Sequence, residues 1–153
     1  MRNRSKPENR RCSMTDVFPS DKRSWIMSRV REKNTSPELK VRSLVHLLGY
    51  RFRLHRKDLP GKPDLVFPSR KKIIFVHGCF WHGHDCARGH RVPKTNTEYW
   101  IEKIQRNMER DFKHQSDLKA MGWDILIIWE CEFSNPKIVA GKIDGFLSSN
   151  KSA

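Results

Sequence analysis

Cys79, His84 and Cys86 stand together as C-x4-H-x-C, and Cys131 follows far downstream at the end of an apolar run. Zn2+ prefers thiolate and imidazole ligands, four in a tetrahedron, which makes Cys79, His84, Cys86 and Cys131 the preferred set for a structural zinc. His82 and His90 compete for the place given to His84. A catalytic zinc, a redox role for the cysteines and no metal at all are the competing readings. The segment GCFWHGHDCARGHRVP has little core of its own, so a bound metal would contribute directly to its folding. Cys12 sits in a polar, basic stretch and reads as a free thiol.

A second constellation carries acid and imidazole. Pro63-Asp64 opens an apolar run after the turn LPGK, a placement that projects the Asp64 carboxylate from a sheet edge toward Mg2+. Glu38, in the first turn of an expected helix, can complete or support the same site. His77 ends the run IIFVH, and His82 follows on the Cys/His loop. Imidazoles suit proton transfer near neutral pH, so one would activate water and the other orient phosphate. In each case a bland role competes: a turn cap for Asp64, a helix cap for Glu38, a satisfied buried ring for His77. A common nuclease pattern follows its PD with a strand bearing E-x-K; here Phe75-Val76-His77 stand instead. Any such site is therefore altered, with His77 in place of the lysine.

Phe80 and Trp81 interrupt the polar loop, and Trp100 lies near the start of the next long helix. Such rings can enter a base stack, at least cost beside a mispair, or they can simply pack loop against helix. Trp25, Trp123 and Trp129 read as core or edge anchors. Arg23, Arg29, Arg31, Arg88, Arg91, Lys94, Lys103 and Arg106 are candidate phosphate contacts, some of them only solvated charges.

These residues need a frame. Residues 1–20 read as a basic arm and residues 21–150 as one domain, a short basic helix starting near Asp21. Thr35 and Glu38 have capping-box spacing, and Leu39, Leu44, Val45 and Leu48 supply the apolar face of a helix that Gly49 stops. YRFRLH alternates as a half-buried strand, LPGKPDLVF turns into a short strand, and IIFVH reads as a buried one. Thr97 can cap a long helix carrying Trp100, Ile101, Ile104 and Met108, which Gly122 ends near Met121. WDILIIWEC reads as a central strand and KIVAGKIDGFL as a weaker terminal helix. Helices flanking β-rich segments imply a compact α/β or α+β domain.

The 153 residues hold 31 Lys plus Arg against 17 Asp plus Glu, a formal charge of +14. That excess favours a polyanionic partner and salt-sensitive binding. No apolar run is long enough for a membrane span, and the N-terminus lacks the apolar stretch of a signal peptide, so an intracellular setting is expected.

In combination, LPGKPDLVF, IIFVHGCFWHGHDC, VPKTNTEYWIEKIQRN and GWDILIIWEC resemble the bacterial very short patch repair endonuclease family, Vsr, over about residues 20–135. HGCFWHGHDC paired with the distant WEC is the most distinctive element. The resemblance implies a restriction-endonuclease-like core, with a mixed central sheet flanked by helices and a structural zinc site. It implies a monomeric, cytoplasmic enzyme, working at the nucleoid, that nicks 5′ to the thymine of a T:G mismatch left by deaminated 5-methylcytosine. Double-stranded DNA bearing that mismatch is the implied partner, with general mismatch-repair proteins as further contacts. Asp64 would hold catalytic Mg2+, Glu38 would support it, His82 would activate water and His77 would assist at phosphate. Cys79, His84, Cys86 and Cys131 would hold zinc; Phe80, Trp81 and Trp100 would form the wedge. The chain departs from the pattern at Val76, often Thr, and at Gly83 and Asp85, which replace histidines of a His-rich loop. A mismatch-binding protein without cleavage activity and a restriction-like double-strand nuclease are the alternatives.

Overall fold

A computed structural model of the chain describes residues 34–149. The arm expected over residues 1–20 and the helix expected from Asp21, with Cys12, Arg23, Trp25, Arg29 and Arg31, lie outside the described residues.

Helix α1 spans Ser36–Leu47. Thr35 Oγ1 accepts the Glu38 backbone N–H at 3.4 Å, and Glu38 Oε2 accepts the Asn34 N–H at 2.9 Å. The reciprocal bond of the expected box thus falls one residue earlier, on the residue before the N-cap, while Thr35 Oγ1 satisfies an orphan donor of the helix start. Val41 and Val45, one turn apart, are fully buried, with Leu44 and Leu48 packed beside them. Leu39 was expected on that face but is 47% exposed; Val41 takes its place.

Four strands follow: β1 (Arg53–Leu54), β2 (Leu65–Phe67), β3 (Lys72–His77) and β4 (Asp124–Trp129). They pair in the order β1-β2-β3-β4, antiparallel twice and then parallel between β3 and β4, which makes the sheet mixed. The alternation read in YRFRLH yields only a two-residue strand with both side chains exposed, while Tyr50 and Phe52 reach the core from the segment before it. Its partner β2 is itself only three residues long, so there is little edge to pair with.

WDILIIWEC was expected at the centre of a sheet, yet β4 is an edge strand among the described residues. Its unbroken apolar character has another cause: both of its faces are covered. Ile125 and Ile127 pack with Leu118, Trp123 and Phe75, whereas Leu126 and Ile128 pack with Val41, Ile74 and Ile143.

Between β3 and β4 runs α2 (Thr97–Ala120), the crossover a parallel pair requires. Asn96, in the left-handed region, is its N-cap, so Thr97 does not cap it. The Thr97 hydroxyl instead donates to the Pro93 and Lys94 carbonyls at 2.9 and 3.2 Å. Met121 and Gly122, the latter at φ +88°, end the helix as anticipated. Ile101 and Met108 are exposed. The face turned inward is Trp100, Ile104, Asn107, Asp111, His114 and Leu118, in alternating steps of four and three. Hydrophobic periodicity cannot find the middle of that face, because it is polar and borders a cleft. No helix among the described residues is long and apolar enough to cross a membrane.

Helix α3 (Pro136–Ser148) buries Val139, Ile143 and Leu147 completely, a stronger element than its two glycines suggest. Lys72 fastens its end. That side chain is only 2% exposed, and its ammonium donates to the Phe146 and Ser149 carbonyls and to Ser149 Oγ. These are C-terminal helix carbonyls, which favour a cation. Lys72→Met is expected to cost about 2 kcal/mol, since acceptors lose their donor while packing volume is kept. Urea denaturation would measure it; an unchanged midpoint would mean that water replaces the ammonium at no cost.

Candidate active site and metal centre

A cleft of about 540 Å3 lies between the start of α1, the turn before β2, the end of β3 and the polar stretch of α2. Glu38, Asp64, His77 and His82 all line it, so four residues scattered over the sequence are brought together. Asp111, which sequence reasoning missed, lines it too. His55, Lys57, Lys62, Arg110 and His114 add basic groups around these acids.

Asp64 is aimed by its turn. Gly61 adopts φ +76°, and a Cβ there would stand 3.0 Å from His114, so the turn packs directly on α2. The backbone N–H of Val76 donates to Asp64 Oδ2 at 2.7 Å and fixes the carboxylate against β3. This bond comes from the main chain, so valine serves there. Burial, opposed by that hydrogen bond and reinforced by the Glu38 charge, pushes the Asp64 carboxyl up to about 7. A cation beside it would reverse the shift.

Glu38 is nearly inaccessible and already engaged. Besides the Asn34 N–H it accepts from Arg42 at 3.3 Å, and His55 Nε2 lies 4.0 Å away. Arg42 also donates to Asn34 Oδ1 at 2.8 Å and lies 3.0 Å from His55 Nε2. Neither Arg42 nor His55 was singled out from sequence. Arg42 follows Glu38 by one helical turn, the spacing of a helix ion pair, and that was the available signal.

The imidazoles of His77 and His82 stack face to face, centroids 3.8 Å apart and planes within 5°. His82 Nδ1 bonds Asp111 Oδ2 at 2.5 Å. Burial alone raises the Asp111 carboxyl, but the hydrogen bond and charge of His82 outweigh it, and the net shift is downward. His77 is buried, its Nδ1 has no partner among the described residues, and burial together with the His82 charge pushes its pKa down to about 3. It therefore stays neutral at physiological pH. His77, His82 and Asp111 lie close enough to share an ion. However, parallel rings offer their lone pairs in separate planes, which suits proton handling better than joint ligation.

The second centre fits a zinc ion. Ligand atoms of Cys79, His84, Cys86 and Cys131 all lie within 4.8 Å of one another, and the three cysteines are free thiols. Tetrahedral zinc–thiolate bonds put sulfurs about 3.8 Å apart, within that spread. His84 Nδ1 is 3.4 Å from Cys131 Sγ; His82 belongs to the other cluster, and exposed His90 pairs with Asp85. Backbone N–H groups of Cys131 and Gly89 donate to the sulfurs of Cys79 and Cys86 at 3.4 and 3.3 Å, a pattern that favours thiolates. Burial pushes the Cys79 thiol up to about 12, whereas the Gly89 N–H brings Cys86 down to about 6. A cation is what allows all three sulfurs to ionise together.

Gly89 is indispensable to this loop, a role sequence reasoning did not see. A Cβ at Gly89 would lie 1.7 Å from the His84 carbonyl oxygen, which is backbone and cannot step aside. Gly89→Ala is expected to cost about 3 kcal/mol and to lower zinc retention, read by metal analysis and thermal unfolding. Full zinc occupancy with normal melting would show that the loop can re-route.

Trp129 joins the two centres. It stacks on His84 at 4.2 Å and meets His77 edge-on at 5.2 Å. On the opposite side of the loop Phe80, Trp81 and Trp100 form one aromatic cluster, with centroids 5.0, 5.8 and 6.0 Å apart. Trp100 is buried within it, while Phe80 and Trp81 are partly exposed. Lys103 Nζ lies over Trp81 and Trp100 at 5.5 and 5.4 Å. Of the other basic candidates, Arg88 pairs with Glu130 at 2.7 Å and Arg106 with Glu102 at 3.7 Å, whereas Arg91 and Lys94 are exposed.

Comparison with known proteins identifies the family. Residues 15–88 match the family model described as DNA mismatch endonuclease Vsr, a stretch that includes Asp64, His77, Cys79, His82, His84 and Cys86. The chain is 54% identical over 122 residues to the type II nicking enzyme V.XorIIP of Xanthomonas oryzae pv. oryzae, covering 80% of this chain and 89% of that one. It is 41% identical over 140 residues to V.NmeAIP of Neisseria meningitidis, covering 92% and 99%. It is 43% identical over 118 residues to the DNA mismatch endonuclease Vsr of Escherichia coli, covering 77% and 75%. With a mixed sheet flanked by helices and a Cys/His cluster able to hold a metal, consistent with a restriction-endonuclease-like fold, the chain belongs to the Vsr/type II nicking-enzyme family.

Proposed function

We propose that this chain is an endonuclease that nicks one DNA strand 5′ to the thymine of a T:G mismatch, using Mg2+ held by Asp64 and a structural Zn2+ held by Cys79, His84, Cys86 and Cys131. The convergence of Asp64, His77, His82 and Asp111 in one cleft carries the reading. Binding a mismatch needs no such centre; hydrolysing a phosphodiester does.

When bound, Mg2+ supplies charge neutralisation and Lewis acidity at the phosphate. The Asp64 carboxylate, fixed by the Val76 N–H, is the oxygen ligand that would hold it. Asp111 orients His82 through Nδ1, which leaves Nε2 of the neutral ring as acceptor for the proton of the attacking water. His77, kept neutral by burial, backs that ring and offers a polar edge to a phosphate oxygen. Lys57, Lys62 and Arg110 supply positive charge for the flanking backbone. Phe80 and Trp81 are the rings within reach of a base step. Trp100, 6% exposed, supports them and enters a stack only if the cluster opens. Deamination of 5-methylcytosine opposite guanine is the lesion that produces this mismatch.

Strand-labelled duplexes carrying T:G or C:G, across varied flanks, test the proposal with Mg2+ present or omitted. Omission is preferable to a chelator, which also strips the thiolate site. Magnesium-dependent cutting 5′ to the mismatched thymine is the expected result. Tight T:G binding by folded, zinc-loaded protein with no cutting on any flank would support a recognition protein instead, and paired cuts in both strands a restriction-like nuclease.

A further inference from the structure

Three carboxylates line the cleft: Asp111 is taken by His82, and the other two are treated differently. Among the described residues Asp64 meets only a backbone donor at close range, and burial raises it. Glu38 is met by a guanidinium that is built in. Arg42 reaches Glu38 Oε2 at 3.3 Å, is held at its other end by Asn34 Oδ1 at 2.8 Å, and abuts His55 Nε2 at 3.0 Å. Its Nε is buried without a partner among the described residues, so the side chain is committed to this place at some cost. Both Glu38 and Arg42 act electrostatically on Asp64, the first raising its pKa and the second lowering it.

A carboxylate in a cleft with a second carboxylate calls for positive charge, which either a divalent ion or a fixed cation can supply. We propose that Arg42 is a positioning residue that fills this need at Glu38: it occupies the carboxylate as an internal counter-cation and keeps it out of ion ligation. Of these two carboxylates, only Asp64 is then left to recruit a divalent metal. This deepens the reading of the cleft as a magnesium site and rests on it. It also assigns Glu38 a supporting role exerted through Arg42 and the Asn34 N–H rather than through the metal.

The test counts bound Mn2+, a spectroscopic stand-in for Mg2+, by electron paramagnetic resonance on the full zinc-loaded chain without DNA. Arg42→Met removes the charge and keeps most of the volume; Arg42→Lys keeps the charge. Arg42→Met is expected to bind one more Mn2+ per chain than wild type, and the added Glu38→Gln change should abolish the extra ion. Arg42→Lys should match wild type. Zinc content confirms that each variant is folded. An Arg42→Met protein with wild-type stoichiometry and affinity overturns the proposal, as does an extra ion that survives Glu38→Gln. Loss of the wild-type ion in Asp64→Asn checks the underlying magnesium reading separately, because the Arg42 result is a difference from whatever wild type binds.

Discussion

Asp64→Asn abolishes nicking and, in Mg2+-free buffer above pH 7, makes the protein more stable than wild type: that pair of outcomes is expected from one substitution. The activity loss, about a thousandfold or more, follows from removing the carboxylate that would hold the ion. The stability gain follows from linkage. The folded-state pKa of Asp64 is raised to about 7 from an ordinary 3.8. Between those values the folded protein binds more protons than the unfolded chain, so stability falls as pH rises through that window and then levels off. Asparagine carries no charge at any pH and can still accept the Val76 N–H. The variant should therefore match wild type near pH 4 and exceed it by up to roughly 4 kcal/mol near pH 8. Adding Mg2+ should restore the wild type and leave the variant unmoved. Urea unfolding at both pH values, with and without Mg2+, measures this. If Asp64 merely capped its turn, both activity and stability would fall together, and Mg2+ would not affect the difference.

Much of this site was legible in the sequence because its key groups sit in short, unusual patterns. PD after a glycine turn, a histidine closing an apolar strand, and C-x4-H-x-C each fix several residues at once, and the fold brings these residues into one cleft and one Cys/His cluster. What escaped was carried by elements whose signal lies elsewhere. Asp111 sits halfway along α2, where the inward stripe is polar, so a search for apolar periodicity selects exposed Ile101 and Met108 instead. His55 sits in a segment whose alternation suggested a longer strand than forms. Gly89 is required by a single backbone approach to His84, which no local pattern announces. The edge position of β4 escaped for a related reason: an unbroken apolar run reports that two faces are covered, not how many neighbours a strand has.

Cys131→Ser should release zinc, lower the melting temperature by about 10 °C, and reduce nicking even where the variant remains folded. Serine keeps the backbone N–H that donates to Cys79 Sγ but offers no thiolate to an ion shared with His84. A loop with no apolar core of its own then loses its main constraint, a loss of about 3 kcal/mol being ample for the shift. The effect on chemistry travels through contacts. His84 lies flat on Trp129, Trp129 meets His77 edge-on, and His77 is stacked on His82, whose Nδ1 is held by Asp111. Freeing His84 unseats one side of Trp129 and loosens both imidazoles, so the drop in nicking should exceed about tenfold below the melting transition. Metal content, melting and single-turnover nicking, measured on the same preparation, separate the possibilities. Retained zinc would remove Cys131 from the ligand set. Lost zinc with unchanged nicking would show that the imidazoles are positioned without help from the loop, and that Trp129 separates the two centres instead of joining them.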